Sequence, residues 1–280
     1  MTPVENPARS RTAWQPFSPR GLAAFGNAGF GRAFLWLLLV ALMGSGTVIW
    51  FLNEAWFPAV RAAIRELPEQ GEIVRGELNT PITNSRSLAE QRFLGFALLT
   101  PDSVGIDLSS HIVVRFRQKS LEACSFLGCR GWNYATNLQI PFNRIDAQAR
   151  WDAWQPFLNG GAGLGVLTLL LIMWVLLGVI YSLITWPIAW ILKKDATWGG
   201  MVRIACAAQM LGALLLLAGI WAYGLRWIDL VQLLSLAFLQ LLVAWVYVGW
   251  ALKVLPERLP AVKHPTNPFA TEASPPGQAR

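Results

Sequence analysis

Four stretches of this chain contain no Asp, Glu, Lys or Arg: Ala33 to Leu52, Gly160 to Leu192, Ile204 to Leu225 and Leu230 to Leu252. A helix needs about 20 apolar residues to cross the hydrocarbon core of a bilayer, and all four reach that length. Lipid offers no partners to backbone N–H and C=O groups, so a spanning segment must satisfy them internally as a helix. The expected fold class is therefore an α+β membrane protein. It has four transmembrane helices, with a small antiparallel β-rich extracytoplasmic domain inserted between helices one and two. In numbers, 1–32 is expected to be a disordered cytoplasmic segment and 57–158 the extracytoplasmic α/β domain. The helices are expected at 33–56, 160–192, 201–225 and 228–253, and a disordered cytoplasmic tail at 254–280.

Charge sets the orientation. Arg9, Arg11, Arg20 and Arg32 precede the first apolar stretch, Lys193, Lys194 and Arg203 lie between the second and third, and Lys253, Arg258 and Lys263 follow the fourth. The connection Tyr223 to Asp229 carries Arg226 alone. Basic residues stay on the cytoplasmic side of short connections. Both termini and the Lys193-Lys194 turn are thus expected in the cytoplasm of a cell bounded by a cytoplasmic (inner) membrane. The first stretch is too long, and ends in too bulky a run (Asn53 to Phe57), for a cleaved signal; an uncleaved signal-anchor is expected. Many of the 15 Trp residues, such as Trp56, Trp198, Trp227 and Trp250, fall near span ends, where amphipathic rings favour the headgroup layer.

The net charge of +7 does not indicate nucleic acid. The insert from Phe57 to Leu158 balances eleven basic residues against ten acidic ones, so the excess sits in termini and connections. The expected partners are membrane lipid and an envelope or membrane protein. The segments before residue 33 and after Pro256, rich in Pro and without apolar period, read as unstructured. Ala13 to Phe17 recurs as Ala153 to Phe157; a duplicated binding element is the alternative, and coincidence in a chain rich in Trp and Pro is the preferred reading, since the copies are expected on opposite sides of the membrane.

The insert opens with a helix, in which Val60, Ile64 and Leu67 recur at helical spacing and Pro68 ends it. Strands are expected at Ile73-Val74, Phe93 to Leu99, Ile112 to Phe116, Leu121 to Phe126 and Leu138 to Phe142, with turns at Thr100 to Ser103 and Leu127 to Gly131. Alternation is clearest where Ile112, Val114 and Phe116 interleave with Val113, Arg115 and Arg117. Asn143 reads as the cap of a helix that feeds the second span.

Cys124 and Cys129 are the sharpest local signal. Two Cys flanking a Gly turn outside the cytoplasm suit a disulfide, with free thiols as the rival reading. Structural zinc wants four ligands, and only His111 shares the domain. Cys206 reads as a packing residue within the third span. No metal site, cofactor or catalytic residue is expected, since no zinc-protease, phosphate-loop or dinucleotide motif is present. Gly44-Ser45-Gly46 lacks a membrane His to act as base and reads as close helix packing. With no Asp, Glu, Lys or Arg in the four apolar stretches, the candidate intramembrane polar residues are Gln209, Gln232 and Gln240, with Ser235 in between, and the Gln side chains are expected to pair across helices. The run from Gly160 to Gly165 offers either close backbone approach or a hinge, and the hinge is preferred. On the insert, Arg115, Arg117 and Lys119 with Trp132 and Tyr134 form a candidate cationic, aromatic binding face, against which stands a solvated strand.

The segment Leu67-Pro68 followed by Ile73-x-x-Gly76-x-Leu78, just after a first span and an amphipathic helix, resembles a bacterial family of uncharacterised polytopic membrane proteins, some labelled maltodextrin-utilisation proteins. The resemblance implies a bacterial cytoplasmic-membrane protein and supplies no catalytic residue. The expected function is non-enzymatic. The extracytoplasmic domain would bind an envelope partner or ligand, as an accessory to transport or envelope assembly. The alternatives are a small-molecule transporter or channel component, and a membrane-bound enzyme acting on lipid or sugar intermediates.

Overall fold

The structure is a computed structural model and describes residues 17–81, 84–100, 109–137 and 139–258. The first copy of the repeated pentapeptide (up to residue 16) and the end of the expected tail (259–280) lie outside them. Helix α1 (Pro19–Ala24) is followed by α2 (Phe30–Phe51), which runs through a π-helical turn (Leu52–Trp56) into α3 (Phe57–Arg65). Eight strands come next, and then α4 (Arg144–Ile191), α5 (Trp198–Gly224) and α6 (Leu230–Val254). Four helical segments, Phe30–Arg65, Arg144–Ile191, Trp198–Gly224 and Leu230–Val254, are long and apolar enough to span a membrane.

The helix starts have ordinary local causes. Ser18, Asn143, Thr197 and Asp229 each accept a hydrogen bond from a backbone N–H of the first turn, and Asp229 forms a capping box with Gln232. The cap expected at Asn143 stands, with the Asp146 N–H donating to its side chain at 2.9 Å.

Among the helices, α5 is central. Over half (56%) of its most apolar window is buried, against 11% for α6. Its inward side is built of small residues (Ala205, Cys206, Ala207, Ala208, Ala213), which let neighbours approach closely. At Gly212 a Cβ would meet the Gln240 carbonyl oxygen of α6 at 2.6 Å. At Gly178 it would collide with the Cys206 sulfur. Close packing at Gly44 also stands, for a Cβ there would lie 2.7 Å from Leu170.

The run from Gly160 to Gly165 differs from the expected hinge. Helix α4 is continuous through it. Gly163 faces α2, where a Cβ would meet Ile49 at 2.7 Å, and its carbonyl accepts from the Ser45 hydroxyl at 2.8 Å. Gly160, Gly161 and Gly165 face open space. Packing therefore decides the role of this run. The N-terminal segment also departs from expectation, since Leu22 and Phe25 are fully buried, and Arg203 donates to the Gly26 carbonyl at 2.6 Å.

The strands form two sheets. One has the order β2 (Glu77–Asn79), β1 (Glu72–Val74), β8 (Gln139–Pro141), all antiparallel. The other has the order β3 (Arg86–Glu90), β4 (Leu94–Leu98), β5 (Ile112–Phe116), β6 (Ser120–Ser125), β7 (Gly128–Asn133). It is antiparallel except between β4 and β5, which run parallel. Their connection over 99–111 has about the dozen residues that a parallel crossover needs. Helix α3 packs its Ala63 and Ile64 side on β3 and β4, and Phe96, Phe116 and Phe142 join Ile73, Leu78, Leu88 and Leu98 in one core. Strands β2, β3 and β7 were not anticipated. Of the residues read as a turn at 127–131, only Leu127 is in one; Gly128 to Gly131 instead start β7, because the reversal is made by Phe126-Leu127 with Gly128 at φ +116°.

Candidate functional site

Three aromatic rings join the sheet domain to the helices. Phe93, just before β4, packs edge-on against Phe51 of α2 (5.4 Å between centroids) and Tyr223 of α5 (4.9 Å). Such pairs contribute about 0.5–1.5 kcal/mol each beyond the area they bury. The Tyr223 hydroxyl lies 2.6 Å from His111 Nδ1, and the two rings stack. Arg92 donates to the carbonyls of Ile228 (2.9 Å) and Arg226 (3.3 Å), gripping the α5–α6 connection where Arg226 takes a positive φ of 67°. Burial and then the charge of Arg92 push the His111 imidazole below its ordinary value, with Asp229 opposing them. His111 thus sits in the joint between sheet and bundle. Its isolation in the sequence gave no sign of this, because its partner ring, Tyr223, lies 112 residues away.

Two continuous helical stalks hold the same domain: α2 through α3, and α4. They touch where Phe57 meets Trp151 edge-on at 5.1 Å and where Asn53 donates to Asn159 at 3.0 Å. At the far end of the bundle the basic residues gather. The Lys193 carbonyl accepts from Arg258 N–H, Lys194 pairs loosely with Glu257 (3.8 Å), and Arg20 and Arg203 lie on the neighbouring turns. The sheet domain and this basic cluster occupy opposite ends of the helices.

The candidate face is divided by the strand register. Arg115 stands opposite Glu122, which stands opposite Gly131, so these three share one face of the five-stranded sheet. Phe116, Leu121 and Trp132 form the next row and point to the other face. The structure therefore does not bring Arg115 and Trp132 together. Arg117 pairs with Glu122 at 2.7 Å and Lys119 with Glu77 at 3.2 Å, half-exposed bridges worth about 0–1 kcal/mol each. Tyr134 is half-buried against the domain core, and burial pushes its phenol up to about 12. Its hydroxyl has no hydrogen-bond partner among the described residues.

Trp132 remains open, and so does the whole of its strand. All six residues of β7 are exposed, and among the described residues β6 is the strand's sole neighbour in the sheet. At the opposite end of the sheet, α3 packs against β3. Cys124 and Cys129 are directly opposite in register with their sulfurs at bonding distance, stapling β7 to β6. Their Cα atoms are 4.0 Å apart, the short spacing of a non-hydrogen-bonded pair. The Tyr134 N–H donates to the Lys119 carbonyl, which fixes the alternation. Cys129, Gly131 and Asn133 therefore direct their N–H and C=O groups away from β6.

A cavity of 730 Å³ lies between the two sheets, with Gln70, Glu72, Asn79, Gln118 and Asn143 among its lining. Among the described residues no group of three or more His, Cys, Asp or Glu is placed to hold a metal.

The polar residues in the helices fall into separate roles. Gln209 donates to the Trp174 carbonyl across α5 and α4 at 3.0 Å. Gln232 belongs to the α6 capping box, and Gln240 lies at the Gly212 crossing. Sequence reasoning missed Thr47, whose hydroxyl accepts from the Trp221 indole at 3.0 Å. Comparison with family models, curated proteins and solved structures finds no match to this chain.

Proposed function

We propose that this is a non-enzymatic, multi-pass protein of a bacterial cytoplasmic membrane whose sheet domain stands on the outer side and binds a partner in the envelope. The four apolar helices anchor it, and both termini lie in the cytoplasm. The basic cluster at the end of the bundle away from the sheets supports this orientation. The observation that carries the binding role is the open β7 edge. An exposed edge is a template for strand pairing, which proteins ordinarily cover or blunt. Here β7 is exposed along its whole length and stapled to β6, with Trp132 beside the staple. An extended segment of a partner adds to the outward N–H and C=O groups of Cys129, Gly131 and Asn133, with Trp132 and Arg130 contacting its alternate side chains. The aromatic joint at Phe93, His111 and Tyr223 ties such binding to the helices, as suits an accessory to transport or assembly.

A photo-crosslinking residue at Trp132 in living cells tests this. Discrete protein adducts are expected, absent from a control at exposed Asp152 on the stalk. They should be lost in Gly131→Pro, which removes an outward N–H while sparing the β6 ladder. Equal labelling at both positions, or adducts indifferent to the proline, would overturn the reading. The polar cavity between the sheets favours a second reading, in which the domain holds a small uncharged polar ligand against Asn79, Gln118 and Asn143.

A further inference from the structure

We infer that the cleft between the β6–β7 turn and the start of α6 holds part of an outer-leaflet phospholipid. This rests on the membrane reading above. The cleft has a volume of 530 Å³, within the range of about 300–1,000 Å³ typical of small-molecule sites. Val113 and Phe126 wall it from the sheet, Val231 and Leu234 from α6, and His111 and Asp229 contribute polar groups.

Three observations point to lipid as the occupant rather than to a protein. First, Val231 and Leu234 begin an exposed apolar stripe that continues at helical spacing through Phe238 and Leu242. The cleft therefore opens onto the side of α6 that faces the hydrocarbon. Second, the turn overhanging it carries two exposed apolar residues, Phe126 (64% exposed) and Leu127 (84%), at the level where Asp229 caps α6. Apolar residues at that height sit at the headgroup and acyl boundary. Third, the lining pairs apolar walls with a few polar groups, as an amphiphile requires. An acyl chain lying along the stripe reaches up between Phe126 and Val231, and the glycerol and headgroup come level with His111 and Asp229.

The test uses the full-length protein in nanodiscs of phospholipid carrying a photoreactive diazirine on the upper acyl carbons, with adducts mapped by peptide mass spectrometry. Adducts are expected on Phe126-Leu127 and around Val231. Val231→Trp, at an exposed position that does not disturb the core, narrows the cleft and should cut labelling of the turn several-fold, leaving adducts at Phe238 and Leu242 unchanged. Phe126→Ser should do the same from the other wall. Labelling of α6 without the turn would overturn the inference, whether a second copy or a protein partner fills the cleft. The absence of adducts on every apolar helix would instead bring down the membrane reading itself.

Discussion

Gly163 and Gly161 are two residues apart on one helix, yet only the first touches another helix. A Cβ at Gly163 collides with Ile49, and the same atom at Gly161 meets nothing within 4 Å. Overpacking costs about 1–3 kcal/mol. Ile49 can turn its end methyl away from Gly163, but at Gly212 the obstacle is the Gln240 backbone carbonyl. Gly212→Ala should therefore lower the thermal midpoint in detergent by several degrees, while Gly161→Ala leaves it unchanged or raises it slightly. At the sheet end, His111 is held below its ordinary pKa, so the unfolded chain binds more protons than the folded one. Stability is then complete above the unfolded value of about 6.5 and is lost as pH falls through the lower folded value. Proteolysis of the sheet domain should accelerate on moving from neutral to mildly acidic pH, and His111→Phe, which keeps the stacking on Tyr223, should flatten that dependence. An unchanged pH profile in the variant would show that another group titrates. Phe93, 5% exposed among the same rings, should cost about 3–5 kcal/mol as Phe93→Ala, read as loss of the domain's protection from protease.

Elements whose physics is local were legible in the sequence. The charge-free stretches, the Asn143 cap and the alternation of Ile112 to Phe116 each follow from residues within a few positions of one another. Strand β7 was not legible, because an exposed edge needs no apolar alternation, and its Gly128 and Gly131 read as turn. The close approach at Gly163 and the burial of Leu22 and Phe25 in α1 depend on what packs opposite, which lies far away in the chain. The candidate binding face failed to assemble for a register reason: residues one apart on a strand point to opposite sides. The Cys124–Cys129 pair was visible from spacing, but its role as the staple of an open edge was not. Replacing both Cys with Ser should cost the β6–β7 hairpin about 2 kcal/mol by loop-closure entropy. Hydrogen exchange should then quicken in β7 and leave β4 and β5 unaffected.

At the scale of the whole molecule, the sheet domain is coupled to the helices by two stalks and an aromatic joint, while its β7 edge and its Phe126-Leu127 turn are exposed. A partner strand on β7 and a lipid beneath Phe126 would both act on the same stapled hairpin, which reaches the α5–α6 connection through His111 and Tyr223. This arrangement has meaning only if the sheets stand on the far side of a bilayer from Lys193 and Lys194. Single cysteines in a chain lacking the native three, probed in intact cells with a membrane-impermeant thiol reagent, measure that directly. Positions on the sheet domain (Trp132) and in the α5–α6 connection (Trp227) should be labelled without lysis, and Lys193 and Arg258 only after it. Labelling of Lys193 in intact cells, with Trp132 protected until lysis, would contradict the account.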